Sequence, residues 1–249
     1  PLLMEILAQE QWPESFHDLV EEGEELFFID FLMRYAEKLS GKSRQAIAEL
    51  AQPYLPQLAA RATSGDAEQR ARAILTLSTL APQAYESEIV AALDDESPLV
   101  CMLATRSLAD NQATQYTSQI LDKTTRFRAW SQNYLISTLV SLARENPEIL
   151  RNHLTESHRP EWIRLIILKA LTELNDWQAM PLAVEFLNMD EDRELQAAAL
   201  QFISRLGHDG LLDLIRTKCH AKDFVIRLNA VKALAQLGNQ NDHKLLEEL

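Results

Sequence analysis

Residues 223–237 read DFVIRLNAVKALAQL. Ile226, Ala230, Val231, Leu234 and Leu237 recur at three to four positions, the spacing that lines one face of an α-helix. The same face returns upstream. Residues 192–206 place Leu195, Ala199, Leu200, Ile203 and Leu206 in those slots, and residues 160–174 place Ile163, Ile167, Leu168, Leu171 and Leu174. Residues 128–142, 97–111 and 66–80 carry the register further, with polar Ser131, Thr105, Asn111 and Gln69 among the apolar slots. The closing slot runs through positions 80, 111, 142, 174, 206 and 237, a period of about 31 to 32 residues with no insertion.

Between these segments lies a second, shorter amphipathic stretch. Ile89, Val90 and Leu93 mark it in one unit, Leu182, Phe186 and Leu187 in another, and Leu211, Leu212 and Ile215 in a third. Each repeat is therefore a helix pair. One pair cannot bury its apolar face alone, so neighbours must stack into a continuous core. The predicted fold is all-α, an α-solenoid.

Composition agrees. Apolar residues make up 47% of the 249 residues, enough for a substantial core, and six glycines are too few for a turn-rich β fold. The net charge of −13 argues against nucleic acid, whose binding needs Lys and Arg to displace counterions. Cys101 and Cys219 lie far apart in predicted helices, so a reducing, cytoplasmic compartment is expected rather than a disulfide framework. No secretory signal and no apolar run of about 18 residues is visible. The chain begins at Pro1, so membrane association is expected only if an N-terminal segment is missing.

The pattern resembles the HEAT-repeat family, including the short bacterial HEAT-like repeats. The residues that carry the resemblance are Asp223, Arg227, Ala230, Ala233, Leu234 and Leu237, with Gly238 after them, and residues 176–187 with Pro181. The resemblance covers residues 51–249, read as about six helix pairs plus a partial C-terminal unit. It implies a right-handed superhelix that holds a protein partner on its concave face. Residues 1–50 leave the register and are read as a helical N-terminal cap, with Gly41 as a helix C-cap.

Asp66 and Arg70 share slots with Asp223 and Arg227, and Asp192 and Arg164 occupy the same slots elsewhere; four residues apart on a helix, such charges form modest ion pairs. In the resembling family they tie adjacent repeats together. Arg106, Lys169 and Lys232 share one polar slot of the longer helix, where Gln201 also stands, and Arg72, Arg164, Arg205 and Arg227 add charge to these helices. Two readings stand: a solvated surface, or a basic face for an acidic segment of a partner protein. Trp130 and Trp162 share another slot, either as a partner anchor or as packing between repeats. Trp12 and Trp177 have no such register.

No chemistry stands out. The six histidines form no HExxH, His153 and His158 have no obvious ligand set nearby, and phosphate-loop, dinucleotide and nucleophile-elbow motifs are missing. Neither metal nor cofactor is expected. The first reading is a non-catalytic interaction scaffold or adaptor, and the second is a regulatory subunit on the cytoplasmic side of a membrane complex. An enzyme on the same architecture, resembling bilin lyases or helical-repeat DNA glycosylases, is the third. Deoxyhypusine hydroxylases hold iron through His-Glu pairs, which this sequence lacks.

Overall fold

The computed structural model describes residues 20–127, 131–188, 192–242 and 247. The chain divides into two compact units, one ending at Phe127 and the other starting at Arg128. The first holds α1 (Glu25–Ala36), α2 (Gly41–Ala51), α3 (Leu55–Ser64), α4 (Ala67–Leu80), α5 (Glu86–Ala91), α6 (Pro98–Asp110) and α7 (Thr117–Thr124). The second holds α8 (Gln132–Ala143), α9 (Glu148–Leu154), α10 (Glu161–Glu173), α11 (Met180–Asn188), α12 (Arg193–Leu206), α13 (Leu212–Lys218) and α14 (Phe224–Leu237). No strand occurs among the described residues.

The expected register is the observed one. The long helices α4, α6, α8, α10, α12 and α14 end within a residue of the closing slots at 80, 111, 142, 174, 206 and 237. Within the first unit α4 packs on α3 and α6; within the second, α8, α10, α12 and α14 pack in a row, with α9, α11 and α13 against them. Each unit is thus a stack of helix pairs, the α-solenoid arrangement. Of the segment read as a cap, residues 1–19 lie outside the described residues; the remainder holds α1 and all but the last residue of α2, which pack on one another and on α4.

The one-face reading of the long helices is incomplete. Cys101 and Ala109 of α6, Leu165, Ile166 and Ala170 of α10, and Ala197, Ala198 and Phe202 of α12 are also buried. A long helix inside a row has a neighbour on each flank as well as a short helix beneath it. Small residues at these flanks let the backbones approach.

Local chemistry sets the helix ends. The Asp66 side chain accepts from the Gln69 amide while Gln69 accepts from the Asp66 amide, a reciprocal capping box. Asp192 accepts from the Glu194 amide, and Asp223 from the Val225 and Ile226 amides. The expected pairs with Arg70 and Arg227 are replaced by these caps, because the free amides of a helix start lie nearer the carboxylate. Asp223→Ala is expected to lower stability by about 1 kcal/mol; an unchanged thermal midpoint would show that the cap contributes nothing.

Gln112 and Asn175, both with φ near 54°, turn the chain out of α6 and α10. There the Ala113 amide donates to the Leu108 carbonyl and the Asp176 amide to the Leu171 carbonyl, closing each helix with a left-handed residue. After α12 the same position is Gly207, where a side chain would collide with the Ile203 carbonyl. Gly41 departs from expectation: α1 ends earlier, at Ala36, and Gly41, with φ of 59°, opens α2 instead of capping α1.

Candidate functional site

Several charged side chains of the repeat belong to the scaffold. Arg70 holds Asp95 through two bonds of 2.7 and 2.9 Å, and also donates to the Gly65 carbonyl. This ties α4 to the loop that precedes α6. Burial alone would raise the Asp95 pKa, but hydrogen bonds from Arg70 and the Ser97 amide hold it below the usual carboxylate range. Short helices carry comparable clamps. Arg151 on α9 donates to both oxygens of Asp176 at 2.7 and 2.6 Å, and Arg216 on α13 grips Asp242 at 2.7 and 3.2 Å. Arg227 turns back to the Ala221 and Lys222 carbonyls before its own helix, and the Arg164 guanidinium lies 5.6 Å from the Phe186 ring centre.

The face left over is the outward stripe of the long helices. In the second unit it runs across α8, α10, α12 and α14, and polar bonds link neighbouring helices side by side. Lys169 donates to Gln132 at 3.1 Å, Gln201 to Asn229 at 2.9 Å, and Ser204 to Gln236 at 2.8 Å. Arg205 donates to Asn175 at 3.1 Å. Lys169 is half-buried, while Gln201, Arg205, Lys232 and Gln236 are exposed. Leu228, 39% exposed, lies one turn before Lys232.

The sequence-expected slot therefore separates into two environments. Lys169 and Lys232 stand on the stripe of the second unit. Arg106 stands in the first unit, where Asp110 pairs with it at 2.8 Å one turn on. Arg72 is paired too, with Glu68 at 2.9 Å and Asp30 at 3.7 Å. Leu75, 41% exposed, and Ser137 occupy the same slot in α4 and α8, so a basic residue is not a property of the slot throughout.

Trp162 is half-buried beside a cavity of about 290 Å³ that Glu161, Leu165, Asp192 and Glu194 also line. Its expected companion Trp130 lies outside the described residues. The register reading missed Trp177, which is 69% exposed. With Met180, Pro181, Val184 and Leu206 it lines an open apolar groove of about 540 Å³. A signal existed: at that slot the other repeats place Gln83, Thr114, Glu145, Asp209 and Gln240, all polar. The scaffold does not require an aromatic there.

The remaining groups considered for chemistry are structural. Cys101 is fully buried, donates to the Leu93 carbonyl, and has its pKa pushed up by burial. Cys219 is likewise buried, with the same shift and cause. His153 and Arg159 hydrogen-bond Glu156; against the upward pull of burial they keep its pKa low. Among the described residues no group of three or more His, Cys, Asp or Glu is placed to hold a metal ion. No described helix is long and apolar enough to cross a membrane.

No curated protein matches the chain. Residues 183–249 match the family model for HEAT repeats. That segment runs through α12, α13 and α14, which continue the register of the helices before them. Residues 183–249 are thus HEAT repeats by this match, and the stacked helix pairs and unbroken period upstream are similar to them.

Proposed function

We propose that the chain is a non-catalytic interaction scaffold of the cytoplasm, which holds a partner protein on the outward stripe of its long helices. The observation that carries this reading is the stripe of the second unit. Four helices lie in a row, polar bonds link their side chains, and Gln201, Arg205, Lys232 and Gln236 are exposed among the described residues. A solenoid row of this kind offers a long, preformed surface. HEAT repeats mediate protein–protein interaction in general, which fits an adaptor better than an enzyme.

Affinity capture from the chain's own cell extract tests it. Gln201→Trp places a bulky ring in the middle of the stripe and is expected to lose the partner set held by the wild type. Glu148→Trp, at an exposed position at the start of α9, is expected to retain it. An identical partner set from Gln201→Trp would remove the stripe as the docking face.

A further inference from the structure

The row of long helices in the second unit is locally basic within an acidic chain. α8, α10, α12 and α14 together carry Arg164, Lys169, Arg193, Arg205, Arg227 and Lys232 against three carboxylates, Glu161, Glu173 and Glu194. The whole chain has a net charge of −13. Arg164 and Arg227 are committed to Phe186 and to loop carbonyls. Lys169, Arg205 and Lys232 remain on the stripe, and among the described residues none of the three forms an ion pair. Lys169 and Arg205 instead meet the neutral oxygens of Gln132 and Asn175. The first unit is different. Its long-helix cations Arg70, Arg72 and Arg106 each have a carboxylate within ion-pair distance.

Charge is also graded along the row. Glu161 and Glu194 stand at the N-terminal ends of α10 and α12, with Trp162 beside them. Lys169 lies eight residues further along α10, about 12 Å at the helical rise. Only Glu173 offsets the three cations in the C-terminal half.

We propose that this half of the stripe seats an acidic, extended segment of the partner protein, a deepening that rests on the scaffold reading above. Carboxylates of the segment pair with Lys169, Arg205 and Lys232. Gln201 and Gln236 supply amide groups to its backbone, and Leu228, one turn before Lys232, provides an apolar contact at the edge of the charged half. Desolvated pairing of this kind fixes register and speeds encounter. A nucleic acid is disfavoured on the same observations. Three cations neutralise few phosphates, and a long polyanion would extend past the strip into carboxylate-rich surface. A short acidic segment presents its charge only where the strip is positive.

The test uses the full chain and a fluorescein-labelled synthetic peptide of about a dozen residues, glutamates spaced by alanine and leucine, read by fluorescence anisotropy. Two competitors accompany it: the same peptide with lysine for glutamate, and an oligouridylate of equal length. The acidic peptide is expected to bind, to weaken with added salt, and to lose about tenfold or more in the Lys169→Gln, Arg205→Gln, Lys232→Gln triple variant. Arg106→Gln is expected to leave binding unchanged. Circular dichroism checks that the triple variant folds. If it does not, Lys232→Glu is read instead, at an exposed site with about threefold weakening expected. Absence of binding to the wild type, undiminished affinity in the folded variant, or equal binding of the lysine peptide or the oligouridylate would each overturn the proposal. The scaffold reading falls separately, by retention of the partner set in Gln201→Trp. Loss of that set alongside an indifferent charge variant would leave the scaffold standing and remove the acidic partner.

Discussion

Leu234→Asp is expected to destabilise the second unit by about 4 kcal/mol or more, enough to abolish its cooperative transition in a thermal melt. Leu234 is 1% exposed on α14, which packs on both α12 and α13. The substitution removes a buried isobutyl group, a loss of about 2–3 kcal/mol in transfer terms alone. It then places a carboxylate at a fully buried position, so the acid must stay protonated or draw water into the core. Leu228→Asp, six residues away and 39% exposed, is expected to change stability by about 0.5 kcal/mol or less. The contrast checks the register itself. Equal effects at the two positions would mean that the assigned buried face is wrong.

Asp95→Ala is expected to cost about 2 kcal/mol, because it leaves the Arg70 guanidinium with only the exposed Glu96 at 3.3 Å and the Gly65 carbonyl. The Arg70 and Asp95 side chains are 12% and 10% exposed, and two bonds join them. Replacing both at once, Arg70→Met with Asp95→Leu, is expected to cost much less, since no uncompensated charge remains. Urea melts of the two single variants and the double variant measure the coupling. Additive losses would show that the pair is not a unit. The pH dependence has a definite sign. Asp95 has a folded-state pKa below its unfolded value of about 3.9. Its stabilisation is therefore complete above that unfolded value and disappears as pH falls through the lower folded one. Glu156, also held low, acts in the same direction in the second unit. The Asp95→Asn and wild-type stability curves should converge in acid and separate towards neutral pH.

The period carried nearly all of the architecture, because a repeat states its own burial pattern many times over. Positions 80, 111, 142, 174, 206 and 237 mark the helix ends in both sequence and structure. What the sequence concealed was pairing across repeats. Asp66 and Arg70 look like partners at four residues, yet Asp66 caps α4 and Arg70 reaches Asp95, 25 residues on. Spacing within one helix cannot reveal which of two nearby carboxylates is closer in space. For the same reason Arg106, Lys169 and Lys232 looked equivalent. Their slot is shared, but Asp110 neutralises only the first. Trp177 is invisible to a repeat register because it recurs in no other unit; it stands alone at a slot that is polar elsewhere.

The bonds between neighbouring repeats of the second unit share a short reach. Those from Arg151, Arg216, Gln201, Arg205, Ser204 and Lys169 join residues 25 to 37 apart. Closure entropy rises only with the logarithm of loop length, so each contact costs little more to form than the previous one. Local topology of this kind favours rapid folding, in steps one helix pair wide. It also makes the row modular in descent. Duplicating one period adds a neighbour on either side of the new pair while every existing bond keeps its span, so a gene can lengthen the surface without redesigning the core.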